Sequence, residues 1–302
     1  MWFWFSLIAL ICWSGSDLFS KIGCQDADDK YSHLKMVMAV GLVMGLHAAY
    51  EIFINGTEIS GSIILTYLPV SLLYISSMTI GYIGLRYIEL SISSPICNSS
   101  GALVAVLALA TGGLGELVPA QLAATALVCV GVIGLGIVEA REDDDLRAAR
   151  QQASNHRYAK SALALILPVI YCLLDALGTF ADSRVLETLN EDSANCAYEL
   201  TFLLAGIVCF VYVVLIKKSR LVPKREGPKY AGAVCETAGQ FAYIYALADT
   251  EHVALAAPII SAYCVASVLW SRIFLKEKLS WKHYAMIALV VAGIVILGIY
   301  DA

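Results

Sequence analysis

Three acidic residues stand in stretches that are otherwise almost wholly apolar: Asp17, Asp175 and Glu236. Asp17 sits in "WSGSDLFSK" and Asp175 in "YCLLDALGT", so aligning Trp13 with Tyr171 brings the two acids into register. A charged side chain at the centre of a bilayer costs ~2.5–3.5 kcal/mol even on insertion scales, so such an acid is expected to face a cavity or a partner. There a carboxylate attracts a cation or carries a proton. The plainer alternative is that Asp17 pairs with Lys21 one turn on and that Asp175 hydrogen-bonds locally. Glu236 is followed by Gln240 and Tyr243 at i+4 and i+7, which lays a polar stripe along one helical face.

Aromatic residues supply the second resource. Trp13, Tyr82, Tyr171, Tyr243, Tyr245, Tyr263 and Trp270 fall inside apolar stretches rather than only at their ends. An aromatic face beside a carboxylate suits an ammonium group, each contact contributing ~0.5–2 kcal/mol. Asn98, Ser99 and Ser100 follow Pro95, and Ser261 follows Pro258; the prolines predict kinks, and these side chains can hydrogen-bond where a proline frees a carbonyl. Glu199 and Asp182 lie nearer stretch ends and are expected at a wetted interface. His47 is expected to bond a backbone carbonyl. The nine cysteines show no CxxC or Cys/His spacing, so neither a disulfide framework nor a metal site is expected. No P-loop, no GxGxxG after a strand, and no Ser-His-Asp or HExxH arrangement occurs. Neither an ATP-driven pump nor an enzyme is therefore expected, and no cofactor.

The elements that must hold these residues are membrane spans. The 302 residues are 59% hydrophobic and only 15% charged, with a mean hydropathy of +0.74. A bilayer core of ~30 Å takes roughly 20 apolar residues per helix. Ten such runs are legible, near 2–23, 34–54, 62–86, 94–112 and 119–139, then 160–182, 195–216, 229–249, 253–275 and 282–299. The first lacks a basic leader and an A-x-A-like site, so it reads as a retained helix rather than a signal peptide. The net charge of −5 is spread among loops and points to no nucleic-acid partner.

The chain is also duplicated. "PICNSSGALVAVLALATGGLGELVPAQLAATALVCVGVIGLG" and "PIISAYCVASVLWSRIFLKEKLSWKHYAMIALVVAGIVILG" share one layout. Each has a proline opening, a turn at Glu116 or Glu277, and a small-residue helix ending in glycines. The hydrophilic connector of residues 141–159 separates a first five-helix repeat, 1–140, from a second, 160–302. All of the 20 Lys and Arg residues except Arg184 fall in loops on one side. Positive charge marks the cytoplasmic side, so both termini are predicted outside the cytoplasm of a plasma, or bacterial inner, membrane. An odd number of spans per repeat makes the two copies inverted, the architecture of secondary transporters with a midplane site. The fold class is thus an all-α integral membrane protein of ten transmembrane helices in two inverted five-helix repeats. The glycines of spans five and ten (Gly131, Gly134, Gly136; Gly293, Gly298) allow either a homodimer interface or close packing within the bundle.

On these residues the chain resembles the drug/metabolite transporter superfamily, of the EamA type. The resemblance rests on "CWSGSDLFSKIG" ending span one, the small-residue proline openings of spans four and nine, the glutamate after each, and the glycine-rich ends of spans five and ten. It implies a ten-helix transporter of small metabolites, with a central cavity lined mainly by spans one, three, four, six, eight and nine. Several members of the superfamily are described with cytoplasmic termini; the charges here argue the reverse. The expected function is transport of a small polar metabolite by alternating access, protons being a candidate coupling ion. An amine, quaternary ammonium or amino acid is favoured, and a sugar phosphate disfavoured because no Lys or Arg lies deep in a span. The expected site comprises Asp17, Asp175, Glu236, Trp13, Tyr82, Tyr171, Gln240, Tyr243, Asn98 and Tyr263. The alternative is a non-transporting membrane partner or a subunit of a lipid-linked intermediate translocase.

Overall fold

The computed structural model describes residues 1–26, 28–88, 90–111, 118–140, 162–276 and 279–301. The connector and the turn residues Glu116 and Glu277 lie outside the described residues. Every regular element described is helical: α1 Trp2–Cys24, α2 Ser32–Tyr50, α3 Gly61–Tyr87, α4 Leu90–Cys97, α5 Ser100–Ala110, α6 Pro119–Ala140, α7 Ala162–Val185, α8 Glu191–Phe210, α9 Pro223–Leu247, α10 Val253–Ser261, α11 Tyr263–Trp270 and α12 Trp281–Asp301. Among the described residues, nine of the spans are long and apolar enough to cross a membrane. The remaining one, α9, begins earlier than the sequence suggests, and its first turns carry Lys224, Arg225, Glu226 and Lys229. The protein is an all-α, multi-pass membrane protein.

Local chemistry explains where these helices start and break. Ser60 Oγ accepts from Ile63 N at the head of α3, and Asn190 Oδ1 accepts from the Asp192 and Ser193 amides at the head of α8, satisfying amides the helix leaves bare. Spans four and nine are each two helices rather than one kinked helix. In span four the break falls at Asn98–Ser99, where Asn98 Nδ2 donates to Ser94 O (2.8 Å) and Ser99 Oγ donates to Pro95 O (3.0 Å). In span nine it falls at Ala262, whose amide is shared between Pro258 O (3.0 Å) and Ile259 O (3.1 Å). Both breaks follow the proline by one turn. The ring removes a donor and strains the ladder, and nearby polar groups take up the freed backbone.

Packing pairs the spans across the duplication. Span one lies on span eight and span three on span six; span two meets eight as three meets seven; span one meets nine as six meets four. Spans two and seven, four and nine, and five and ten pack on their own counterparts. Exchanging the two halves maps this pattern onto itself, as a pseudo-twofold axis requires. Small residues allow the close crossings. A Cβ on Gly41 of α2 would lie 2.7 Å from Phe202 O and 3.0 Å from Gly206 Cα of α8. A Cβ on Gly131 of α6 would lie 3.0 Å from Met286 O of α12, and one on Gly293 of α12 would lie 2.7 Å from Ala124 O of α6. These glycine faces of spans five and ten meet one another within the chain.

Basic side chains gather at one end of the bundle. Lys35 Nζ is 2.9 Å from Asp29 Oδ2 and 3.6 Å from Glu226 Oε1, and Lys229 Nζ is 3.1 Å from Glu226 Oε2. Arg86 donates to Asp29 O (2.6 Å), and Arg225 pairs with Asp26 (3.2 Å). At the other end Arg184 pairs with Glu187 (2.8 Å) and donates to Thr111 Oγ1 (2.9 Å).

Candidate functional site

Between the span one–eight pair and the span three–six pair, with the two broken spans alongside, lies a cavity of about 70 Å³, measured as the space open to the centres of water molecules. All ten residues expected from the sequence line it: Trp13, Asp17, Tyr82, Asn98, Tyr171, Asp175, Glu236, Gln240, Tyr243 and Tyr263. They come from spans one, three, four, six, eight and nine. Its wall among the described residues contains no Lys, Arg or His.

Serine hydroxyls hold the three carboxylates. Asp17 Oδ2 accepts from Ser94 Oγ (2.5 Å) of α4 and Ser267 Oγ (2.8 Å) of α11, so the two broken spans converge on one acid. Lys21 instead reaches the carbonyls of Leu85 (2.8 Å) and Ile88 (2.6 Å). Asp175 Oδ2 accepts from Ser100 Oγ (2.7 Å) of α5, and Glu236 Oε2 accepts from Ser16 Oγ (2.7 Å) of α1. Each acid therefore bonds a different helix from its own.

Aromatic rings form much of the wall. The Trp13 ring centroid is 4.9 Å from that of Tyr243 and 5.8 Å from that of Tyr263. Trp13 packs over Gly239 of span eight and Tyr171 over Gly81 of span three, the same contact in each half; a Cβ on Gly81 would lie 2.9 Å from the Tyr171 ring. The residues following these glycines, Gln240 and Tyr82, are thus counterparts. Tyr82 Oη, Gln240 Nε2 and Ser20 Oγ are buried without a protein partner among the described residues. Two of the expected aromatics lie elsewhere. Tyr245 bonds Asp192 and stacks on Phe5, and Trp270 Nε1 donates to Ser14 Oγ (3.0 Å).

Two expectations at span ends are corrected. Asp182 is fully buried rather than wetted, with Oδ1 accepting from Tyr67 Oη (2.7 Å) and Oδ2 from Tyr74 Oη (3.3 Å). Glu199 is also fully buried, and it takes His47 Nδ1 (2.9 Å), where a backbone carbonyl was expected to hold the histidine. The reason is the same for both: distance from a span end along the sequence ignores the neighbouring helices that close over that end. Sequence reading also missed Ser16, Ser94, Tyr74, Thr179 and Tyr198 on the cavity wall. Serine at successive turns of an apolar run was the available signal, and it is weak because serine also bonds its own helix.

The comparison in sequence falls in the second half. Residues 162–299 match the EamA-like transporter family. That match is consistent with the drug/metabolite transporter superfamily. Among solved structures, one described only as a crystal structure of a protein superimposes on 98% of this chain and 96% of its own length, with a TM-score of 0.64. At 14% identity that likeness shows the fold alone, and it shows it over the whole chain. No curated protein matches this chain in sequence.

Proposed function

We infer that this EamA-like protein is a secondary transporter for a small cationic or zwitterionic metabolite: an amine, a quaternary ammonium compound or an amino acid. The observation that carries the reading is a single cavity with Asp17, Asp175 and Glu236 on its wall and no basic residue there among those described. Carboxylates on a wall with no basic side chain beside them are left to pair with a cation, and rings such as Trp13 and Tyr263 offer it π faces. Tyr82 Oη and Gln240 Nε2, with no protein partner, are donors for the acceptor atoms of a polar solute. A sugar phosphate would meet carboxylates and no cation.

Alternating access follows from a midplane cavity between inverted repeats, residues 1–140 and 160–302. The one-sided Lys and Arg distribution supports a plasma-membrane orientation with both termini outside the cytoplasm. The test is counterflow in proteoliposomes of the purified protein, with choline, putrescine, L-alanine and glycerol as probes. Exchange of choline, putrescine or L-alanine that is weakened in Asp175→Asn supports the reading. Equal exchange of glycerol, indifferent to that substitution, removes the acids from recognition. No exchange of any probe moves the chain to the class of non-transporting membrane partners.

A further inference from the structure

We propose that Asp182 is the site that binds the coupling proton, separate from the three cavity acids and joined to the cavity by a chain of hydroxyl groups. This rests on the transporter reading above and adds a residue and a route to it.

The argument begins with what surrounds Asp182. It lies one turn before the end of α7, and none of it is exposed. The polar and titratable groups facing it are Tyr67 and Tyr74 of span three, Tyr198 of span seven, Tyr243 of span eight, and Thr179 and Asp175 of its own helix. Among the described residues no Lys, Arg or His is within ion-pair distance of it. The nearest cation in sequence, Arg184, turns to Glu187 and Thr111 and lies over the Phe180 ring at 5.3 Å. Buried carboxylates are ordinarily paired with a cation or a metal, because desolvating an unbalanced charge is costly. One that meets only hydroxyls is stabilised as readily by a proton as by those donors.

The hydroxyls then lead inward. Tyr74 Oη bonds both Asp182 and Tyr243 Oη, and Tyr243 Oη donates to Thr179 Oγ1 (3.0 Å). Tyr74, Thr179 and Tyr243 all line the cavity, whereas Asp182 does not. The chain thus connects an acid near one end of the bundle to the central cavity. A proton that reaches Asp182 from that end converts the carboxylate to the acid. The acid gives its proton to the Tyr74 oxygen, Tyr74 gives its own to Tyr243, and Tyr243 gives its own to water in the cavity. One proton enters, one leaves, and each hydroxyl is restored. Tyr67 holds the other carboxylate oxygen throughout.

Two measurements test this. In the first, the infrared spectrum of the reconstituted protein is followed as pH is varied, in the region of the protonated-carboxyl C=O stretch. A band that titrates in the wild type, disappears in Asp182→Asn and shifts in Tyr74→Phe is the expected result. A set of titrating bands unchanged by both substitutions overturns the proposal, whether or not the protein carries any probe. In the second, choline uptake into proteoliposomes is measured with and without an imposed pH gradient. The gradient accelerates wild-type uptake about tenfold, within the ordinary range of coupling between two ligands. Asp182→Asn keeps choline counterflow and loses the acceleration. Retained acceleration in that variant overturns the proposal. If Asp182→Asn does not fold, Tyr67→Phe decides: it removes the donor on the other carboxylate oxygen without touching the cavity wall, so it must shift the pH dependence of gradient-driven uptake and leave counterflow intact, and an unshifted dependence overturns the proposal. Absence of exchange of every probe in the wild type counts against the transporter reading, and the infrared arm then decides Asp182 alone.

Discussion

At the scale of residues, the acids of the cavity differ in what holds them, and their substitutions should differ accordingly. Asp175 takes a single serine, whereas Asp17 takes two from two different helices. Asp175→Asn removes a charge from the wall while an amide can still accept from Ser100. It should raise the half-saturation for choline counterflow by on the order of tenfold, the loss expected for one charged hydrogen bond, and leave folding unchanged. Asp17→Ala should act differently, because it leaves Ser94 and Ser267 without their shared acceptor where α4 and α11 converge. Apparent melting temperature in detergent should fall as well as transport. Both outcomes are read from the same preparations. The acids themselves were legible from the sequence because charge inside an apolar run is rare and costly. Their serine partners were not, since Ser94 and Ser267 are 77 and 250 residues away from Asp17.

At the scale of elements, the two broken spans are legible in the sequence only as kinks. Pro95 and Pro258 mark the place, but the side chains that take up the freed carbonyls decide between a bend and a break. In span four Ser99 does so through its side chain, which donates to Pro95 O. The other feature at this scale is close crossing. Gly293→Leu should force α6 and α12 apart where Ala124 O now sits against the glycine, costing about 1–3 kcal/mol, the usual range for overpacking. A lowered apparent melting temperature would show it. An unchanged one would mean that the outer pair of spans is loosely held. Span eight was placed too late along the chain because Lys224 to Lys229 interrupt its apolar run. In the fold Arg225 pairs with Asp26 and Asp28, Lys229 with Asp29, and Glu226 with Lys35.

At the scale of the molecule, the packing units are not the two halves of the sequence. Span one rides on span eight and span three on span six, so spans one, two, eight and nine cohere, as do three, four, six and seven. Opening the cavity is expected to part these mixed groups along the contacts of two with seven and four with nine. A built-in crosslink tests it. A Cβ at Gly15 would lie 3.8 Å from Cys235 Cβ, the spacing of an ordinary disulfide at ~3.8 Å. Gly15→Cys, oxidised, should bond to Cys235, tie span one to span eight and leave counterflow intact; loss of counterflow on oxidation, restored by reductant, would show that these two spans slide during the cycle. The ion network at the basic end also joins the halves. Lys35→Met leaves Glu226 and Asp29 to Lys229 alone, at 3.1 and 4.0 Å, and should lower stability by about 1–3 kcal/mol. A reporter that folds only outside the cytoplasm, fused to the C-terminus, should be active if the charge distribution orients the protein as expected.

Legible in the sequence alone are the all-α membrane class, the proline and glycine layout shared by the two halves, and ten residues that the fold brings to one cavity wall. Each is written in local terms: twenty apolar residues in a row, a repeated proline and glycine layout, an acid where no acid is cheap. Asp17 and Asp175 could be paired on sequence alone because the duplication supplies an internal register. Only the tertiary structure decided what those residues touch. Asp182 and Glu199 look like interfacial acids in one dimension, yet Tyr67 and Tyr74 close over the first and His47 takes the second. The physical reason is that a membrane helix exposes all of its faces to the sequence reader equally. Which face meets protein and which meets lipid is set by neighbours that pack from distant parts of the chain, through glycine crossings such as Gly41 on Gly206.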